Sequence, residues 1–203
     1  EPTPVDGTGP DAVVVEVLPP DVTTMDLAEA RRILGGGAGL DSAERFDRLT
    51  EVATALGASM GATRVVTDRG WVPHSRQIGT TGVVVDPDLY LAFGISGAVQ
   101  HTAGLGDPAH IISVNTDPHC PMMAMADLAV VADANATVDA LAEGVTFLLD
   151  RGVEAERLEL LQRVLRDLAR TAAGHVRFGR HHPHVLAHAG RIGNRRANVP
   201  ISG

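Results

Sequence analysis

Short apolar runs alternate with glycine turns and helical patterns through the middle of this chain, and this alternation constrains its fold most. Four such runs indicate strands, at 63–67, 89–93, 111–114 and 128–131. Apolar positions three to four residues apart indicate helices before, between and after these runs, at 46–56, 96–103 and 137–149. Strands that are apolar throughout and separated by helices are typical of a parallel sheet covered on both faces. The sequence therefore predicts an α/β fold with a three-layer doubly wound parallel sheet.

Polar residues and glycines follow these predicted strands, at the edge where open α/β sheets bind ligands. They are Thr67-Asp68, Gly94-Ile95-Ser96, Asn115 and Asp133. Gly94 and Gly97 let backbone approach a ligand closely, and the N–H groups of the helix that follows suit an anion. A glycine turn of this kind is by itself more often structural, and the G-x-G-x-x-G dinucleotide fingerprint does not occur in the chain.

Composition narrows the functional classes. A formal net charge of −8 argues against a nucleic-acid partner, because phosphate binding draws its affinity from basic surfaces. The single cysteine, Cys120, excludes a disulfide framework and a multi-thiolate metal site. We find neither an apolar stretch that could span a membrane nor a signal peptide, and we expect a cytoplasmic protein that is not an integral membrane protein.

Four longer motifs resemble the FAD-binding domain of electron-transfer flavoprotein alpha subunits. They are GATRVVTDRGWVPHSRQIGTTG, PDLYLAFGISGAVQH, ISVNTDPHCP and ADLAVVAD, in the family's order and spacing over about residues 35–145. The resemblance implies a Rossmann-like, DHS-like domain that holds FAD together with an electron-transfer flavoprotein beta-type subunit. It implies an electron carrier, without a substrate of its own, that accepts electrons from flavin dehydrogenases and passes them to an acceptor.

The resemblance also implies which residues contact FAD. Arg64 matches an arginine packed against the isoalloxazine, Thr81 a hydroxyl near N5, and His101 a histidine near O2, where a donor or positive charge favours the reduced flavin. Asn115 and Asp133 match positions at the adenosine end. The whole set of implied cofactor-binding residues comprises Thr63, Arg64, Ile78, Gly79, Thr80, Thr81, Ser96, Gly97, Ala98, Val99, Gln100, His101, Asn115, Asp133 and Ala134. No catalytic residue and no metal ligand is among them.

Three domains follow from the composition and the resemblance. Residues 1–34 are a leader and the remnant of an N-terminal domain, with a strand at 12–18. Residues 35–149 form the FAD-binding domain, and 150–203 a helical extension at 150–173 with a His- and Arg-rich tail. The tail histidines (His175, His181, His182, His184 and His188) lack neighbouring carboxylates, which favours a solvated or partner-binding arm over a metal site.

The chain departs from the family at two loop positions and in its length. Ala38 stands where the family has an arginine that reaches the pyrophosphate, and Thr80 replaces a glutamine. The resemblance also implies that this sequence contains little of the family's N-terminal domain. These departures keep two alternatives open: a nucleotide- or FAD-binding module with a structural or regulatory role and no redox duty, and a scaffold whose tail recruits a dehydrogenase.

Overall fold

A computed structural model describes residues 25–149 and 176–178. The strands are β1 (Arg32–Gly36), β2 (Ser59–Ala62), β3 (Leu89–Phe93), β4 (His110–Asn115), β5 (Leu128–Val131) and β6 (Val176–Phe178). The α-helices are α1 (Ala43–Ala55), α2 (Arg64–Asp68), α3 (Val99–Thr102), α4 (Pro121–Met125) and α5 (Ala134–Leu149). Two short 3-10 helices occupy Leu27–Glu29 and His74–Arg76.

All six strands form one sheet in the order β2-β1-β3-β4-β5-β6. The strands β1 to β5 are parallel, and β6 pairs antiparallel with the outer edge of β5. From β1 the chain passes outward to β2 and then returns to β3 on the other side of β1. The strand order therefore reverses between β1 and β3, which is the switch point where doubly wound sheets bind ligands. The predicted α/β, doubly wound architecture is confirmed.

Two apolar cores, one on each face of the sheet, give the fold its three layers. On one face, Phe46 and Leu49 of α1 and Val138 and Leu141 of α5 pack against the strands. On the other face, the buried side chains come from α4 and from the segments around Leu27, Ile78 and Leu105. Aliphatic side chains dominate both cores, which explains how a chain with 3% aromatic residues closes a sheet of this size. No helix in the described part of the chain is long and apolar enough to cross a membrane.

Three of the predicted strands are confirmed, at 89–93, 111–114 and 128–131, as are the helices at 46–56 and 137–149. The predicted strand at 63–67 is wrong, because the chain turns at Thr63 and forms α2, while β2 comes earlier, at Ser59–Ala62. The β-branched run Val65-Val66-Thr67 favours a strand locally, but the Thr67 hydroxyl lies 2.9 Å from the Arg64 carbonyl, a contact that helices allow threonine. Thr63, and not Thr67-Asp68, therefore lies at the carboxyl end of a strand.

Strand β1 lies across the boundary predicted at residue 35, so the sheet begins at Arg32. Strand β1 was not predicted from the sequence, because Gly35 and Gly36 have low strand propensity. The structure gives the reason for both glycines: a Cβ on Gly35 would meet the Tyr90 hydroxyl, and one on Gly36 would meet the Phe46 ring. The predicted strand at 12–18, the helix at 150–173 and the tail histidines lie outside the described residues.

Substitution of Gly94, compared with substitution of Gly70, measures how tightly the switch point is packed. The φ of Gly94 is +62°, and an added Cβ would lie 2.6 Å from the Gly39 Cα, whereas Gly70, with a φ of +72°, has nothing within 4 Å of that position. We expect Gly70→Ala to cost only the backbone term, roughly 1–2 kcal/mol. Gly94→Ala should cost at least about 2 kcal/mol more, since the clash adds to that term. Urea unfolding of both variants measures the difference, and equal losses would show that the switch point can relax.

Candidate functional site

Loops from five strands meet at the carboxyl edge of the sheet. They begin after β1 at Gly37, after β2 at Thr63, after β3 at Gly94, at the last residue of β4, Asn115, and after β5 near Asp133. Neighbouring strands lie about 4.8 Å apart, so the row from β2 to β5 is roughly 19 Å long. This edge offers an elongated ligand a continuous line of loops.

The crevice between β1 and β3 is made of backbone. Gly37 N–H donates to the Phe93 carbonyl at 2.9 Å, and Gly39 N–H donates to the Gly94 carbonyl at 3.0 Å. Cβ atoms on Gly37 or Gly39 would collide with the backbone of Gly94. Ala38, between the two glycines, is exposed. Its methyl group brings no charge to the centre of the edge.

The loop between β3 and α3 presents a row of unused donors. The amide N–H groups from Ser96 to Gln100 have no hydrogen-bond acceptor among the described residues. Gly97, with a φ of +81°, lies against the backbone of Met122, which fixes the loop on α4. Ser96, Ala98 and Gln100 are exposed. Consecutive backbone N–H groups of this kind suit an anion or a carbonyl oxygen.

The turn at 78–81 joins the end of β2 to this loop. Ile78 N–H donates to the Ala62 carbonyl at 2.9 Å, and Thr80 N–H donates to the Gln100 carbonyl at 2.8 Å. A Cβ on Gly79 would lie 2.7 Å from the same carbonyl of Gln100. The structure thus brings together the predicted residues Thr63-Arg64, 78–81 and 96–101.

Arg64 is the first residue of α2 and points its side chain toward solvent. The side chain is 64% exposed, and its Nε lies 3.2 Å from the Asp68 carboxylate. Exposed pairs of this kind contribute about 0–1 kcal/mol, so the guanidinium can exchange Asp68 for another partner at little cost. Arg64 is therefore a usable cation at the β2 end of the edge.

His101 is buried, and both of its ring nitrogens have partners inside the protein. It is 5% exposed, with Nδ1 3.1 Å from the Ile78 carbonyl and Nε2 2.9 Å from the Tyr90 hydroxyl. Because a carbonyl only accepts, Nδ1 carries the hydrogen, and in the neutral ring Nε2 accepts from Tyr90. Burial lowers the pKa of His101. Both ring nitrogens are engaged inside the protein, so donation to a cofactor would require one of these hydrogen bonds to break.

Two further predicted side chains hold loops in place. The Asn115 amide donates to the Ile95 carbonyl at 3.0 Å and accepts from Asp117 N–H at 3.0 Å, which ties the β3 and β4 loops together. Asp133 accepts from Ala136 N–H at 2.8 Å and so caps α5, whose first residue, Ala134, is buried. Asp133 itself is exposed and can still accept from a ligand.

Two buried polar residues, Gln77 and Tyr90, were not predicted from the sequence to take part in the site. Gln77 is buried between the hydroxyls of Thr67 and Thr81, and Tyr90 donates to the His101 ring. The loop that contains Gln77 and the strand that contains Tyr90 both lie in motifs that carry the resemblance, but the sequence does not show which polar residues are buried. The described residues hold no group of three His, Cys, Asp or Glu that could bind a metal ion.

Comparisons with known proteins agree with this geometry. Residues 26–106 match the family model described as the electron transfer flavoprotein FAD-binding domain. The mitochondrial electron transfer flavoprotein subunit alpha of Oryza sativa subsp. indica is 43% identical over 136 residues, which cover 67% of this chain and 38% of that protein. The electron transfer flavoprotein subunit alpha of Clostridium acetobutylicum is 45% identical over 116 residues, which cover 57% of this chain and 34% of that protein. The chain thus spans less than two fifths of the length of these relatives.

The buried ring of His101 predicts a pH dependence of stability. Its pKa in the folded chain lies below the ordinary value of 6.5 for histidine, so the unfolded state binds more protons in acid. This contribution to stability is complete above about pH 6.5 and falls as the pH drops toward the folded pKa. We expect the ¹⁵N chemical shifts of His101 to show a neutral Nδ1–H ring at pH 6.5. His101→Gln should lose this part of the pH dependence in unfolding experiments between pH 7 and 5, and a protonated His101 at pH 6.5 would contradict the prediction.

Proposed function

We propose that this chain, which belongs to the electron transfer flavoprotein alpha family through its FAD-binding domain, holds FAD along the carboxyl edge of its sheet and carries electrons on it. The observation that supports this most is the row of amide donors from Ser96 to Gln100 beside the β1–β3 switch point. These donors begin two residues after Gly94, beside the backbone crevice that Gly37, Gly39 and Gly94 form. The residues present therefore fit an elongated, anionic cofactor.

Different parts of the edge suit different parts of FAD. The amides of 96–100 would bind the phosphates and the ribityl hydroxyls. Arg64 and Thr81, at the β2 end, would contact the ring system, and Asp133, beyond β4, would accept from ribose hydroxyls. When bound, FAD supplies reversible one- and two-electron redox chemistry, and Arg64 would stabilise the negative charge that the ring gains on reduction.

We infer that a complete electron carrier needs a second subunit in addition to this chain. The relatives are called subunits, and the chain covers 38% of the rice protein and 34% of the clostridial one. We expect the chain to act with an electron-transfer flavoprotein beta-type subunit and to receive electrons from a flavin dehydrogenase. The domain boundaries at 35 and 149, moved to include β1, would then mark the part that holds the cofactor.

Purification of the full chain with a beta-type subunit, followed by a visible spectrum, tests this proposal. A flavin spectrum that bleaches with dithionite and with a reduced dehydrogenase supports an electron carrier. A complex that is colourless and takes up no added FAD would overturn the proposal. FAD that stays bound but accepts no electrons from any dehydrogenase would instead support the structural or regulatory alternative.

Arg64→Ala should lower the midpoint potential of the bound flavin. Loss of a cation about 4 Å from a charged ring removes roughly 1 kcal/mol at the solvent-exposed limit, or about 40 mV for one electron. Arg48→Ala provides a matched control, because it removes the same charge from α1, where Arg48 pairs with Glu51 at 2.7 Å. Potentiometric titration measures both variants, and equal potentials for Arg64→Ala and the parent chain would place Arg64 away from the ring.

Ala38→Arg should tighten FAD binding. Ala38 is exposed beside the backbone crevice, so an arginine there can reach an anionic group without displacing core side chains. A charge-assisted hydrogen bond contributes about 1.5–3 kcal/mol, which corresponds to at least about a tenfold gain in affinity. Ala38→Gln adds a shorter, uncharged hydrogen-bond donor and should gain much less. Isothermal titration with FAD compares the two, and equal affinities would show that the phosphates lie elsewhere.

A further inference from the structure

We propose that Gln77 is a positioning residue that fixes the Thr81 hydroxyl as an outward-facing hydrogen-bond donor, and that Thr67 sets the direction of the hydrogen bonds between them. The proposal rests on the proposed function in one respect, since the acceptor of this donor would be the unprotonated nitrogen or the oxygen of a bound flavin ring. It concerns two residues, Gln77 and Thr67, that the implied cofactor set does not contain.

Gln77 is locked in place by its backbone and by its burial. It is 1% exposed, its N–H donates to the His74 carbonyl at 3.0 Å, and its carbonyl accepts from Val83 N–H at 2.7 Å. A Cβ on Gly82 would meet that same carbonyl. The side chain therefore cannot swing away, and its amide reaches Thr67 on one side and Thr81 on the other.

The two distances determine which end of the amide faces which hydroxyl. The contact with the Thr67 hydroxyl is 2.6 Å long, and the contact with the Thr81 hydroxyl is 2.9 Å long. Hydrogen bonds from N–H to oxygen span about 2.7–3.2 Å, whereas those from O–H to oxygen span about 2.5–3.0 Å. The shorter contact is thus an O–H···O bond from Thr67 to Oε1, and the longer one an N–H···O bond from Nε2 to Thr81.

This orientation leaves the hydrogen of the Thr81 hydroxyl unused inside the protein. Thr81 Oγ1 accepts from Gln77, so its own O–H is free to donate from an exposed position beside the 78–80 turn. The reversed amide would also satisfy the network. Nε2 would donate to Thr67, Thr67 would donate to the Arg64 carbonyl 2.9 Å away, and Thr81 would donate inward to Oε1. Thr81 could then only accept from a ligand, so the amide orientation decides what Thr81 can bind.

Thr67 holds the amide in the first orientation through this short contact, in which its hydroxyl donates to Oε1 at 2.6 Å rather than to the more distant Arg64 carbonyl at 2.9 Å. Thr67→Val keeps the shape and removes the hydroxyl, which leaves the amide free to reverse and to capture the Thr81 hydrogen. Thr67→Ser retains the hydroxyl and serves as the matched control. Thr67 is 6% exposed and lies outside the implied ligand contacts, so a direct effect on the cofactor is not expected.

A double-mutant cycle on FAD affinity, using the full chain with its partner subunit, tests the coupling. We expect Thr67→Val to weaken FAD binding about threefold to tenfold, the usual effect of one neutral hydrogen bond, and Thr67→Ser to change it little. In a Thr81→Val background, Thr67→Val should cause no further loss. Equal losses in both backgrounds would overturn the proposal, because a general structural defect does not depend on the Thr81 hydroxyl.

A second measurement needs no flavin. In the NMR spectrum of the full chain without FAD, the Gln77 side-chain NH₂ should show nuclear Overhauser contacts to the Thr81 methyl group, and Thr67→Val should shift them toward residue 67. Contacts of the parent chain to the Thr67 methyl group instead would overturn the proposed orientation. If the parent chain and its partner bind no FAD, the proposed function fails, yet this spectrum still decides the orientation. The spectrum of the parent chain also decides the orientation if Thr67→Val does not fold.

Discussion

The close contact between the backbones after β1 and β3 is the constraint on which the rest of the structure depends. Two hydrogen bonds, Gly37 to Phe93 and Gly39 to Gly94, hold the loops at a separation that leaves no room for a Cβ on any of the three glycines. The strand order reverses at this place, so the crevice, the direction of the 94–101 loop and the exposed position of Ala38 all follow from it. The glycine-rich segment 35–39 is therefore both the end of a central strand and one wall of the ligand edge.

The sequence predicted the parts of the fold in which local and tertiary preferences agree. Strands β3, β4 and β5 are apolar runs bounded by turns, and α1 has an apolar stripe that ends before a glycine, so pattern and packing give the same answer. The prediction failed where they differ. Val65-Val66-Thr67 favours a strand but forms α2. Strand β1 was missed because its glycines lower its strand propensity, and the side chains that require them, Tyr90 and Phe46, come from other elements.

The position of the candidate site could be predicted from the sequence, but the roles of its side chains could not. Residues after β2, β3 and β4 do converge, because parallel strands bring their carboxyl ends to one edge. The sequence could not show that Asn115 holds the Ile95 carbonyl or that both nitrogens of His101 are used internally. It also could not show that Gln77 is buried between two hydroxyls. Backbone N–H groups remain as the main donors, while buried polar side chains fix the loops that carry them.

The division of roles between backbone donors and buried polar side chains affects how the protein would tune the redox potential of a bound flavin. A neutral, buried His101 contributes a dipole and no full charge, so the cation that acts on the ring would be Arg64, whose side chain is 64% exposed in this chain. Water screens an exposed charge, and the interaction of two charges grows about fourfold when the effective dielectric constant falls from 80 to 20. A partner subunit that covers α2 and the 78–81 turn would exclude that water. The strength of Arg64 as a redox-tuning group would then be set by the interface as much as by the FAD-binding domain itself.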